Sequence, residues 1–248
     1  RWRMNLEGRN ILVAGAGGNL GRQVVSELAP LCKSVIAVDR AFPEPFAAKN
    51  IHQDNVELTD ADAVSSAFDR WSESIGHVDA VVNLAGKIHS EPLFNLMKRP
   101  DGRHALDTWT GTLTSNLDTA FLLCREAAAR MAGARKSGVI INFSSIAAQG
   151  NIGQTAYTAA KAALEAMTVT WSKELGVFGI RVCAVAPGFI DTPSTREALS
   201  QALVDQWTKQ VPLRRLGSAS EVAHAVRFIL ENDYYNGQVL HLDGGLRI

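Results

Sequence analysis

Asn10-Ile11-Leu12-Val13-Ala14-Gly15-Ala16-Gly17-Gly18-Asn19-Leu20-Gly21 is the stretch that decides the fold. An apolar run of strand length enters a glycine-rich turn, and a helical pattern over 20–29 follows. Strand, glycine turn and helix in that order bring backbone N–H groups and a helix N-terminus to one point, which suits a pyrophosphate. The strict spacing G-x-G-x-x-G fails, because its third glycine would fall on Leu20. The residues instead fit a longer turn with Gly15 and Gly21 at its ends and Gly17, Gly18, Asn19 and Leu20 between them. Asn19 stands where a middle glycine is expected. Asn is among the few other residues that tolerate positive φ, so the reading expects that conformation there. A tight turn that binds nothing would carry the same glycines, and the segments downstream must separate the two.

Outward from this turn, apolar runs at 34–38, 51–56, 78–83, 138–143, 180–186 and 238–242 alternate with helical patterns at 60–75, 107–132, 155–177, 194–209 and 219–231. The runs are rich in Val and Ile and nearly continuous in hydrophobicity, as parallel strands buried on both faces are. Thr59 and Asp62 form a capping-box signature ahead of Val64, Phe68, Trp71 and Ile75 at helical spacing. Repeated βαβ units imply right-handed crossovers. The expected fold is α/β: a doubly wound, Rossmann-type parallel sheet of about seven strands with helices on both faces. No composition shift marks a boundary, so residues 1–248 read as one domain.

Hydrophobic residues make up 46% of the 248, ample for a sizeable core. Lys+Arg and Asp+Glu balance at 25 each, which argues against nucleic acid or an anionic membrane as the main partner. Cys32, Cys124 and Cys183 are scattered, and no Cys or His spacing fits a zinc site, so reduced thiols are expected. The histidines at 52, 77, 89, 104, 224 and 241 show no metal pattern either. No apolar run approaches the ~18 residues of a membrane span. Arg1-Trp2-Arg3-Met4 holds no apolar signal region, and Met4 is a candidate natural start. The expectation is a cytoplasmic protein.

Two constellations carry chemistry. Asp39 ends the second strand, eighteen residues after Gly21. A carboxylate there binds both hydroxyls of an adenosine ribose and repels a 2′-phosphate, which favours NAD over NADP. Arg40 either stacks on the adenine or softens that discrimination, and a solvated strand-end acid is the plainer alternative for Asp39. Further on, Tyr157-Thr158-Ala159-Ala160-Lys161 places a phenol and an amine four residues apart on one helix face. A free Tyr has a pKa near ~10. A cation ~4 Å away, at an effective dielectric of ~20, would favour the phenolate by up to ~4 kcal/mol. The expectation is a Tyr157 acidified by Lys161 and able to exchange a proton with a substrate hydroxyl.

Turn, acid, the Ser144-Ser145 pair and Tyr-x-x-x-Lys together resemble the short-chain dehydrogenase/reductase family in its compact form, over residues 8–245. Among its members the chain is most similar to the 3-oxoacyl carrier-protein reductase type. Val82-Asn83-Leu84-Ala85-Gly86 looks like the family's Asn-Asn-Ala-Gly segment on the adenine side, with Leu84 at the second Asn. Glu57, followed by Leu58, stands where an Asp commonly meets the adenine amino group. Pro187-Gly188-Phe189-Ile190-Asp191-Thr192 resembles the segment that orients the nicotinamide, with the Ile190 backbone and Thr192 hydroxyl on the carboxamide. Asn116 matches the helix Asn that holds a water next to the catalytic Lys, and Asp243-Gly244-Gly245 matches the usual ending.

The resemblance implies hydride exchange between a nicotinamide and a carbinol or carbonyl carbon. It makes Tyr157 the general acid/base, Lys161 its tuning cation and nicotinamide-ribose ligand, and Ser145 a donor to the substrate oxygen. Family spacing most often gives Ser144, thirteen residues before Tyr157; position relative to the strand end gives Ser145, which the reading favours. The implied function is NAD(H)-dependent interconversion of a small secondary alcohol and its ketone. Two alternatives are a 3-oxoacyl thioester reductase using NADPH, which Asp39 fits poorly, and a non-catalytic nucleotide-binding regulator. A regulator would not need Asn116, Ser145, Tyr157 and Lys161 together. An enoyl reductase usually has a wider Tyr–Lys separation.

The substrate side is less legible. The 87–108 insertion exceeds the compact family pattern and either contacts substrate or lies on a neighbouring subunit. Met97, Phe189 and Trp207 are apolar walls or core, and Arg196, Arg214 and Arg215 meet an acidic substrate or form surface pairs. Helices 107–132 and 155–177 are rich in Ala, Ser and Thr. The family pairs them across a dimer, so a homotetramer is expected, the alternative being close packing on the chain's own sheet.

Overall fold

Each apolar run becomes a strand of one sheet in the computed structural model, which describes residues 5–98, 101–198 and 200–246. The strands are β1 (Asn10–Ala14), β2 (Ser34–Asp39), β3 (Ile51–Asn55), β4 (Ala80–Asn83), β5 (Gly138–Phe143) and β6 (Ile180–Pro187). Two short strands, β7 (Ile190–Asp191) and β8 (Gly217–Ser218), pair with each other, and β9 (Val239–Leu242) returns to the main sheet. All pairings are parallel, in the order β3-β2-β1-β4-β5-β6-β9. The helices are α1 (Asn19–Leu28), α2 (Ala61–Ser74), α3 (Leu106–Leu113), α4 (Thr119–Gly133), α5 (Thr155–Leu175), α6 (Pro193–Ala198), α7 (Gln201–Gln210) and α8 (Ala219–Glu231).

Strand side chains alternate between two cores. Ile11, Val13, Val35 and Ile141 meet Val24, Val25 and Leu28 of α1 and Val222, Val226 and Ile229 of α8. Leu12, Ile36, Val81 and Ile140 meet Val64, Phe68 and Trp71 of α2 and Leu123 and Met131 of α4 on the other face. Burying each such side chain is worth about 1.5–3 kcal/mol, so the sheet is held from both sides. At the edge, β3 has one neighbour only, and His52 and Gln53 are exposed there.

Four local expectations are corrected. Asn19 is the first residue of α1 and its φ is not positive; Gly18, at φ −76°, is the N-cap, and the left-handed position is Gly15 at φ 76°. A Cβ on Gly15 would come within 2.7 Å of the Leu84 carbonyl carbon, so the close approach of β1 and β4 fixes the glycine there. The cap of α2 is Asp60, whose Oδ1 accepts from the amides of Asp62 (2.9 Å) and Ala63 (3.1 Å). Thr59 instead donates its hydroxyl to Glu57 Oε1 at 2.7 Å. The helix expected over 107–132 is interrupted by a π-helical turn, Thr114–Asp118, and the one over 194–209 is split into α6 and α7.

Asp60→Ala is expected to cost about 1 kcal/mol in urea unfolding, the usual worth of a helix cap. Thr59→Ala should cost less than half of that; the reverse order would return the cap to Thr59.

Candidate active site

The crossovers from β1 and β4 leave in opposite directions, which opens a crevice beyond the carboxyl ends of these two neighbouring strands. Here the glycine turn, the end of β2 and the Asn83–Gly86 segment meet. Ala16 N–H donates to the Val38 carbonyl (3.1 Å) and Gly17 N–H to Asp39 Oδ2 (2.9 Å), while Arg40 N–H donates to Asp39 Oδ1 (2.7 Å). The carboxylate is thus oriented by two backbone amides. Gly18 offers no side chain to cap α1, and a Cβ on it would meet nothing closer than the Gly15 carbonyl oxygen at 3.5 Å. Without a side-chain cap from Gly18, the first-turn amides of Leu20 and Gly21 suit an anion from outside the helix. A helix N-terminus whose N-cap residue offers no side chain, with an acid at the next strand end, fits the pyrophosphate and ribose of a dinucleotide.

Several expected ligands are spent inside the protein. Asn83 is buried; its Nδ2 donates to Asn142 Oδ1 (3.2 Å) and its Oδ1 accepts from Ala85 N–H (3.1 Å), so it braces the turn carrying Ala85 and Gly86. Leu58 sits in the core beside Val56, which leaves only its backbone for a ligand. The Glu57 carboxylate is held below the usual range by hydrogen bonds from the Thr59 side chain and backbone. The Thr192 hydroxyl accepts from Thr195 N–H (3.2 Å) and shares a 2.8 Å hydrogen bond with the Thr195 hydroxyl, because it caps α6. Ile190 is buried, its carbonyl accepting from the Thr195 hydroxyl at 3.0 Å. Pro187 ends β6, and Gly188 N–H donates to the Leu242 carbonyl (2.9 Å), which ties this segment to β9.

The serines diverge as their positions on the strand end dictate. Ser144 turns inward, donating to Glu165 Oε1 (2.8 Å) and lying 3.2 Å from the Lys161 carbonyl. Ser145 turns to the crevice; its Oγ accepts from Ala147 N–H (3.2 Å), and its hydrogen bond is felt by the Tyr157 phenol. Lys161 is buried, and its Nζ donates to the Phe143 carbonyl at 2.8 Å, 5.5 Å from the centre of the Tyr157 ring. Burial pushes its pKa down to about 8. Burial likewise pushes Tyr157 up to about 12, against the Ser145 hydrogen bond, which lowers it. The expected acidification by Lys161 is not a property of the protein alone. A desolvated site penalises phenolate and ammonium together, and the ammonium is turned to a carbonyl.

Asn116 is fully buried in the π-helical turn, where Nδ2 donates to the carbonyls of Lys87 (2.9 Å) and Thr112 (3.0 Å). Its Oδ1 is buried without a hydrogen-bond partner. A Cβ on Gly86 would stand 2.5 Å from that oxygen and 3.4 Å from Lys161 Nζ, so the bare glycine brings orphan acceptor and amine to one place. The carbonyls of Phe143 and Lys87 are parts of the site that sequence reasoning missed, because backbone acceptors leave no residue signature. Arg196 pairs with Asp191 and Arg215 with Glu221, Arg214 donates to the Lys209 carbonyl, and Phe189 stacks on Trp207 with ring centres 4.1 Å apart. These arginines are engaged on the protein itself.

The family described as enoyl-(acyl carrier protein) reductase matches residues 20–247. The chain is 34% identical to 3-hydroxyacyl-CoA dehydrogenase type-2 of Drosophila melanogaster, over 96% of each chain. It is 35% identical to 3-oxoacyl-(acyl-carrier-protein) reductase FabG of Thermotoga maritima, over 99% of this chain and 100% of the relative. The reductase of that name in Escherichia coli is 33% identical, over 98% and 99%. Sheet order, turn and Ser–Tyr–Lys cluster define a nicotinamide-dinucleotide oxidoreductase. The chain belongs to the short-chain dehydrogenase/reductase family.

Lys161 has its folded pKa at about 8, below its ordinary 10.5, so the unfolded chain binds more protons between these values and stability rises with pH there. Below pH 8 the full penalty, about 3 kcal/mol, remains. Lys161→Met is expected to raise the melting temperature at pH 7 by roughly 4–8 °C, after about 1 kcal/mol is lost with the Phe143 hydrogen bond. It should also flatten the rise above pH 8. An equal or lower melting temperature with the slope intact would show that the buried amine carries no such cost.

Proposed function

We propose that the chain is an NAD(H)-dependent oxidoreductase interconverting a secondary alcohol and a ketone, with Tyr157 as general acid/base. The observation that carries this reading is the meeting of Ser145 and Tyr157 beside the buried Lys161 amine at the switch-point crevice. A nicotinamide dinucleotide supplies or accepts the hydride. Gly15, Gly17, Gly18, Asn19, Leu20 and Gly21 form the pyrophosphate cradle, Asp39 takes the adenosine ribose, and Arg40 stacks on the adenine. Glu57, Leu58, Asn83, Ala85 and Gly86 line the adenine side, and Pro187, Gly188, Ile190 and Thr192 the nicotinamide side.

In the reducing direction, Tyr157 donates its proton to the carbonyl oxygen as the carbon gains hydride. Ser145 donates a hydrogen bond to the same oxygen and stabilises the charge that develops. Lys161 compensates the phenolate left behind. Asn116 Oδ1, the orphan acceptor beside the amine, holds a water that carries a proton in from Lys161's side. Oxidation runs the same groups in reverse.

A 3-hydroxyacyl/3-oxoacyl thioester is a secondary alcohol/ketone pair, and it is the substrate class to which the relatives' names point. A second reading, an NADPH-dependent 3-oxoacyl thioester reductase, draws on the reductase names; the oriented Asp39 carboxylate favours NAD against it. Tyr157 and Lys161, four residues apart, favour carbonyl over enoyl reduction. The reading takes residues 1–248 as one domain and the assembly as a homotetramer, supported by exposed Trp109, Phe121 and Val169 on α3, α4 and α5.

Tyr157→Phe is expected to lower kcat by about 10²–10⁴-fold while NADH binding, read by fluorescence, stays within about threefold. Asp39→Ala should raise KM for NAD at least about tenfold more than KM for NADP, the worth of a charged hydrogen bond. If the unaltered protein already prefers NADP, the NAD assignment is wrong.

A further inference from the structure

Two asparagines interrupt the apolar face that β4 and β5 turn to the α2–α4 core. Val81 and Ile140 belong to that core, and Asn83 and Asn142 follow each of them by two residues, paired directly across the parallel strands. Both are buried, Asn142 completely. The hydrogen bonds fix which amide atom is which. Asn83 Oδ1 accepts from Ala85 N–H (3.1 Å), so its other atom is the donor Nδ2, and the Asn142 atom facing it at 3.2 Å is the acceptor Oδ1. The buried Cys124 thiol of α4 donates to the same oxygen at 3.4 Å. Burial pushes that thiol up to about 12, so it stays protonated and remains a donor.

Asn142 Nδ2, in contrast, is buried with no hydrogen-bond partner among the described residues. A buried donor left unpaired is destabilising, and an apolar side chain, as at Ile140 on the same face, would carry no such penalty. What the amide provides is its oxygen, and that oxygen stands between two walls of the Lys161 amine. One wall hangs on the backbone of Asn142: the next residue, Phe143, gives its carbonyl to Lys161 Nζ at 2.8 Å. The other hangs on its side chain, through Asn83 and Ala85 to Gly86, where a Cβ would stand 3.4 Å from Nζ and 2.5 Å from the orphan Asn116 Oδ1. Phe143 O from β5, Asn116 Oδ1 from the π-helical turn and Tyr157 from its own helix are the polar groups about the amine, and burial is what lowers its pKa.

We infer that Asn142 is a positioning residue for Lys161: its side-chain oxygen, gathering Asn83 and Cys124, sets the gap between the Phe143 carbonyl and Gly86 in which the amine is confined away from water. The catalytic consequence rests on the proposed reaction at Tyr157. Replacing the oxygen by an apolar group frees Asn83 Nδ2, loosens the turn at Ala85 and Gly86 and lets water reach the amine. A solvated amine returns from about 8 toward its ordinary 10.5, so the stability that the fold gains as pH rises between these values shrinks.

The test follows melting temperature by circular dichroism from about pH 7 to about pH 10 in the unaltered protein, Asn142→Leu, Asn142→Thr and Cys124→Ala. The unaltered protein should gain melting temperature above pH 8, and Asn142→Leu should lose at least about half of that gain. Asn142→Thr, which keeps an acceptor oxygen at similar volume, should restore most of it, and Cys124→Ala should lose a smaller part. In a Lys161→Met background the Leu substitution should leave the remaining slope unchanged. At pH 7 the kcat of Asn142→Leu should fall by about 10–10²-fold, as it does when a catalytic group is misplaced by about an ångström. A melting temperature lowered equally at every pH marks a purely structural residue and overturns the inference, as do an unchanged kcat and an unaltered protein without a gain above pH 8. Should Asn142→Leu fail to fold, the slope of Cys124→Ala decides. An unaltered protein that turns over no secondary alcohol or ketone with NAD(H) overturns the proposed function, while the slope still decides whether Asn142 confines the amine.

Discussion

A buried ammonium group answered by one carbonyl, Lys161 Nζ to Phe143 O at 2.8 Å, is the interaction on which the site depends. It ties α5 to the carboxyl end of β5, and that tie settles three other positions at once. Ser144 and Ser145 follow Phe143 and must turn to opposite sides, so the inward hydroxyl meets Glu165 and the outward one meets Tyr157. Tyr157, one turn before Lys161, is brought over the crevice by the same helix. The arrangement is costly, because an amine whose pKa falls to about 8 has lost solvation that one hydrogen bond does not restore. The double-sided core supplies the excess that lets the fold carry it.

The cofactor side rests on a different physical device, donors fixed before any ligand arrives. Asp39 is held by the amides of Gly17 and Arg40, while α1 starts on a residue without a cap acceptor. A carboxylate oriented in this way would need little rearrangement to receive a pair of hydroxyls. Asn83 and Thr192 work one step further back. Asn83 spends its polar atoms on the Asn142 amide oxygen and the Ala85 amide, and Thr192 its hydroxyl on Thr195, so both shape the segments that border the crevice.

The strands were legible because buried parallel strands must be largely apolar, and every run from 10–14 to 238–242 lies in the sheet. The polar edge strand β3 was legible only through its Ile51 and its place in the alternation. Motif positions were legible too, since glycines, acids and the Tyr–Lys spacing survive as residue types. What escaped was set by fractions of a turn or by backbone atoms. A one-residue shift in where α1 and α2 begin moved Asn19 into ordinary helix and gave the cap to Asp60 instead of Thr59. The π-helical turn around Asn116 leaves no periodicity signal in five residues. Residue types likewise conceal that Phe143 and Lys87 contribute only carbonyls.

The largest departure from expectation concerns acidity, and it says where the chemistry is controlled. Spacing alone makes Lys161 an acidifier of Tyr157, yet with the phenol near 12 and the amine near 8, moving a proton from one to the other is uphill by on the order of 5 kcal/mol. Both shifts share one cause, the exclusion of water, so neither group can correct the other from within the protein. Positive charge entering the crevice would favour the phenolate strongly, because the same low dielectric that penalises an isolated charge magnifies its attraction to an opposite one. The pair therefore rests at neutral pH as phenol and ammonium, and ligand charge would be what shifts the phenol. Acid–base competence and occupancy of the dinucleotide cradle become linked through burial, the property that also keeps bulk water away from the reacting oxygen.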